Sequence, residues 1–96
     1  MITEEIVKVH RSRIWELSFK REDVLVNEGD KTMRRLDLER AMKLGNTYKQ
    51  SVTLQFKTSD NVSREVTATV WAVTEKNVEL KGGKIIPISS IFRVEL

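Results

Sequence analysis

Apolar and polar residues keep two different rhythms in this chain. Near the start, Ile6, Val7, His10, Ile14 and Leu17 recur at threes and fours, the spacing of one buried helical face. Thr3 stands where an N-cap belongs, and Glu4 and Glu5 follow in the first turn, where the helix dipole favours carboxylates. This predicts a first helix, yet Trp15, Leu17 and Phe19 also alternate as a strand does. Val24-Leu25-Val26 ahead of Asn27-Glu28-Gly29-Asp30 reads equally as a strand entering a turn or as a fraying helix end, so residues 14–30 stay open between helix and strand. A second helix is clearer over Asp37 to Asn46. Asp37 caps it, Leu38, Ala41, Met42 and Leu44 form its stripe, and Gly45 occupies a C-terminal position suited to positive φ.

From Ser51 the period becomes two. Val52, Leu54 and Phe56 alternate with Thr53, Gln55 and Lys57, and Ser59-Asp60-Asn61 supplies turn chemistry. In the next run Val66, Ala68, Val70 and Ala72 make a small apolar face suited to the inside of a strongly curved sheet, with Thr67, Thr69, Trp71 and Val73 opposite. Gly82-Gly83 fits the positive-φ positions of a hairpin after Val78 and Leu80. Pro87 has no backbone donor and marks a strand end, edge or bend, and Ser89-Ser90 supports one 3₁₀ turn before a last strand. Strands are expected over 51–58, 64–74, 76–81, 84–88 and 92–96, with the last closing a barrel. The residue preferences agree: leucine, methionine, glutamate and arginine dominate before Asn46, and valine, threonine and isoleucine after it. The predicted fold is a single α+β domain of 96 residues, a mainly helical segment 1–46 packed on an antiparallel barrel segment 47–96.

The strand count, the turn positions and the Ile86-Pro87-Ile88 pattern with Ile91 resemble the small five-stranded barrels of the SH3-like and Sm-like class, over about half of the chain. The segment from Leu38 to Asn46 followed by a strand is also similar to small bacterial proteins of about this length with no assigned function. Such barrels host many unrelated jobs. The loop Ser59 to Ser63 lacks the aromatics of an SH3 peptide groove, and of an Sm-type RNA site only Asn77 and Lys81-Gly82 have counterparts.

Candidate chemistry is sparse. With no cysteine there are no disulfides, thiolate nucleophiles or usual zinc sites, and His10 is the sole histidine. No Gly-x-Ser-x-Gly elbow occurs, and Gly82-Gly83-Lys84 is too short for a phosphate loop. A non-enzymatic protein without cofactor or metal is expected. The start lacks a signal peptide and no run is long and apolar enough to span a membrane, so the expected location is the cytoplasm. The net charge of +3 divides evenly, eleven basic against nine acidic residues up to position 50 and six against five after it. An even division favours a protein-interaction or self-assembly module, with Trp15, Trp71 and Phe92 as candidate anchors and the edges Phe92–Leu96 or Val52–Phe56 as templates. For Trp71, a core or self-association contact is favoured over base stacking. The alternative is RNA or DNA binding through a basic helical stripe of Lys8, Arg11, Arg13, Arg34, Arg35, Arg40 and Lys43. Local pairing such as Glu39 with Lys43 is the plainer reading of those charges.

Overall fold

A computed structural model describes residues 5–96. The chain is α+β: one α-helix and seven strands in two sheets, among the described residues. The first sheet has the order β1 (Val7–Lys8), β3 (Ser63–Ala68), β2 (Val52–Lys57), β7 (Ile91–Glu95), and the second the order β4 (Val70–Val73), β5 (Asn77–Leu80), β6 (Ile85–Pro87). Helix α1 (Glu28–Tyr48) packs against β4 and β7, one strand from each sheet. Its Leu38 and Ala41 join Ile14 and the inward strand residues in one buried cluster. No helix among the described residues is long and apolar enough to cross a membrane.

The N-terminal helix expected through Leu17 does not form. Val7–Lys8 pairs in parallel with Arg64–Glu65, and Arg11–Glu16 makes a 3₁₀ turn that His10 caps, Nδ1 accepting from the Ser12 N–H at 3.2 Å. Two physical reasons apply. Ile6, Val7 and Val9 are β-branched and favour extended backbone, and only Ile14 of residues 5–16 is buried, so no helical face is there to cover. The cap assigned to Thr3 and the carboxylate of Glu4 lie outside the described residues. Beyond the turn the chain is extended. Ser59 N–H donates to Ser18 O at 2.8 Å, Lys20 N–H to Lys57 O at 3.1 Å, and the Phe19 ring tilts against Phe56 with centroids 5.4 Å apart.

Helix α1 is longer than the predicted Asp37–Asn46. Asn27-Glu28-Gly29-Asp30 is its N-terminus: Asn27 Oδ1 accepts from the Asp30 N–H at 3.1 Å, and Glu28 and Asp30 place carboxylates at the positive end of the dipole. At the other end Gly45 lies inside the helix, and the left-handed cap is Lys49, φ 55°. Gly45 has a packing role instead. A Cβ there would stand 2.3 Å from Val70 O, so the helix approaches β4 to a distance that only glycine permits. The buried stripe is Arg34, Leu38, Ala41, Gly45, spaced four, three and four.

All five expected strand regions carry strand, but they do not close a barrel. Residues 63–73 bend at Thr69, so that β3 serves the first sheet and β4 the second. The 3₁₀ turn Ile88–Ser90 then carries the chain away from β6, and β7 pairs only with β2. Strand β2 therefore lies in mid-sheet, between β3 and β7, and Val52–Phe56 is not an edge. Gly82 and Gly83 take φ of 95° and 85° in the β5–β6 hairpin, as the turn requires. The bonds Leu80 N–H to Lys84 O and Ile88 N–H to Lys76 O bracket Pro87 out of register with them. Its missing donor falls on the outward side of an edge strand.

Gly45→Ala should lower stability by about 1–3 kcal/mol through overpacking, read as a fall in the urea midpoint with the slope unchanged. A midpoint within error of wild type would show that the helix can retreat from β4 at no cost.

Candidate functional site: a cationic cleft

Three pieces of chain meet beside the first turns of α1. The extended run 18–24 crosses toward the second 3₁₀ turn, where Val24 N–H donates to Ser89 O at 2.9 Å, and contributes Arg21. Helix α1 contributes Lys31, Arg34 and Arg35, and the β4–β5 turn contributes Lys76 and Asn77. Pro87, Ile88 and Ser89 complete a cleft of about 700 Å³. A second hollow of about 650 Å³ shares Arg21 and Pro87 with it and continues along Phe19, Lys20 and Ser59. The two make one groove.

Arg34 supports this cleft from below. Its side chain is buried, Nη1 and Nη2 bind Asp23 Oδ1 and Oδ2 at 2.9 and 2.8 Å, and Nη1 also donates to Ile91 O at 2.9 Å. Hydrogen bonding from Arg34 to the ionised form holds the Asp23 carboxyl below its ordinary range; partial burial opposes this and the Leu25 N–H adds to it. Arg35 is fixed differently, with Nη2 donating to Thr74 O at 3.1 Å and Glu75 O at 2.7 Å. Main-chain carbonyls orient its guanidinium but do not neutralise it. Lys31 reaches Glu28 at 3.3 Å, while the side chains of Arg21 and Lys76 make no hydrogen bond or ion pair among the described residues. Five cations and two carboxylates line the cleft, and one of the two, Asp23, is already committed to Arg34. That excess of three equals the net charge of the whole chain.

The predicted basic residues are not one helical stripe. Lys8, Arg11 and Arg13 sit on β1 and the first 3₁₀ turn, which packs on β3 and β6, and Arg13 is paired with Glu16 at 3.0 Å. Lys8, His10 and Arg11 line a separate, smaller hollow. Arg40 and Lys43 are exposed on α1 but line neither part of the groove. Only Arg34 and Arg35 reach the cleft, and Arg34 is a buried support, not a surface contact. Trp71 is 48% exposed on the outer face of β4, so it is not a core residue, and Trp15 is 73% exposed. Phe92 is half-buried beside α1. Sequence reasoning passed over Arg21 and Lys76 because each stands next to an acid, Glu22 and Glu75, and a search for runs of like charge skips such pairs.

A scan against protein-family models and searches of curated proteins and of solved structures find no match for this chain. The chemistry of the groove must therefore be judged on its own residues.

The Arg34–Asp23 pair makes stability depend on pH. Because folding depresses the Asp23 pKa below its ordinary 3.8, the pair's contribution is complete above that value and is lost as pH falls through the lower, folded-state pKa. Asp23→Asn should thus cost stability at pH 7 and little at the acid end, compared by urea unfolding of both proteins from neutral pH downward. A gap between them that stays constant down the whole series would remove the ion pair as its cause. Arg34→Ala, which strands a carboxylate, should cost about 3 kcal/mol at neutral pH.

Proposed function

We propose that this chain is a non-enzymatic, cytoplasmic binding module that holds the phosphate backbone of a single-stranded nucleic acid in the groove between Lys20 and Lys76. The carrying observation is the excess of unneutralised cations, Arg21, Arg35 and Lys76, on the walls of a concave, elongated site. Phosphates are attracted by such an array whatever the base sequence. An acidic peptide would need apolar anchor pockets as well, and Pro87 and Ile88 are the two apolar residues lining the larger part. A single strand can bend into a hollow, whereas a stiff duplex touches its rim. The fold reading that accompanies this is an SH3-like path with an open side, supported by β2 lying between β3 and β7, the bend at Thr69 and the 3₁₀ turn before the last strand.

A protein-interaction role has its own support in the exposed Trp15 and Tyr48, both 73% accessible, and in the free edge of β7.

Fluorescence polarisation of labelled single-stranded and duplex oligonucleotides, titrated at several salt concentrations, tests the groove. The single strand should bind more tightly, with affinity falling steeply as salt rises. The double variant Arg21→Gln with Lys76→Gln should weaken binding at least tenfold and flatten the log–log salt slope by about 1.4, two contacts at ~0.7 each. Binding that ignores both substitutions, or none at low salt, would sink the proposal. Equal competition by a polyglutamate peptide would transfer the groove to acidic polypeptides.

A further inference from the structure

Independently of the groove, we infer that β7 is the seam of a two-fold homodimer, formed by antiparallel pairing of Phe92–Leu96 with the same segment of a second copy. On one side β7 is bonded to β2; on the other, no backbone group of residues 92–96 has a partner among the described residues. Arg34 takes the carbonyl of Ile91, so the open stretch begins after it. The stretch is complementary to itself. Antiparallel pairing centred on Val94 sets Arg93 opposite Glu95 of the second copy, and Glu95 opposite its Arg93, giving two cross-strand ion pairs on one face. On the other face Phe92 meets Leu96 of the second copy, Val94 meets its counterpart, and Leu96 meets Phe92.

The surface is disposed for this. Arg93 and Glu95 are exposed and lie 3.2 Å apart, bound only to each other, and Leu96 is half-exposed. A hollow of about 270 Å³ between α1 and β7 adjoins the edge, its walls shared between apolar residues (Leu25, Met33, Phe92, Val94) and charged ones (Asp30, Arg34, Asp37, Arg93). Opposite charges across adjacent strands and an apolar row behind them are what identical edges need in order to pair without repulsion. One strand's width buries less than the ~1,200 Å² of a stable interface, so the dimer is a weak one that forms with concentration.

Sedimentation velocity across a concentration series, with near-UV circular dichroism to confirm folding, tests the seam. Wild type should move from the 11.1 kDa monomer toward twice that mass as concentration rises. Arg93→Glu puts like charges opposite each other at two places and should weaken association by about tenfold. The double swap Arg93→Glu with Glu95→Arg restores opposite charges at both and should recover wild-type association. A wild type that stays monomeric at millimolar concentration overturns the inference, as does a double swap no better than the single variant. Arg21→Gln with Lys76→Gln should leave the mass series unchanged, which separates failure of the seam from failure of the groove.

Discussion

The structure turns on one guanidinium under a helix. Arg34 joins three parts that the chain keeps far apart: helix α1, the crossing run that ends at Asp23, and the first residue of β7. Each bond has a directional role. The planar fork against Asp23 fixes where the crossing run passes, and the bond to Ile91 O fixes how the last strand enters its sheet. A leucine in that position would fill space but would not select a partner. Buried ionic contacts cost desolvation, and what this one contributes is registry between the helix, the crossing run and the last strand.

The same residue explains why the helix was only partly legible in the sequence. Its buried stripe opens with an arginine and ends with a glycine, so the hydrophobic period is visible only at Leu38 and Ala41, and an expected helix starting at Asp37 follows naturally. Asn27 and its neighbours carry turn residues because N-caps and turns favour the same side chains. Gly45 suggested a stop because the close approach of β4 cannot be seen before the fold is known. At the N-terminus, spacing by threes and fours is misleading because Val7 and His10, two of the residues that carry it, do not face the core. By contrast, the strands, the paired glycines and the proline were readable because local backbone demands fix them.

The groove was less legible still, and for a different reason. Its cations come from positions 21, 31, 35 and 76, each close in sequence to an acid, so averaging along the chain cancels them. Folding weakens that cancellation by binding Asp23 to Arg34 while the bases converge, with Glu22 and Glu75 outnumbered on the walls. An even charge distribution along a sequence is thus compatible with a concentrated field in space.

Pro87 has a further consequence that concerns valence. A sheet protein with two open edges can add a neighbour on each side and grow into a fibril. Here the helix end lies along β4, β1 is two residues long, and β6 turns a donorless ring toward solvent. Among the described residues the β7 edge is then the one left to accept a strand, and a molecule with a single such valence can end a chain of molecules but cannot extend it.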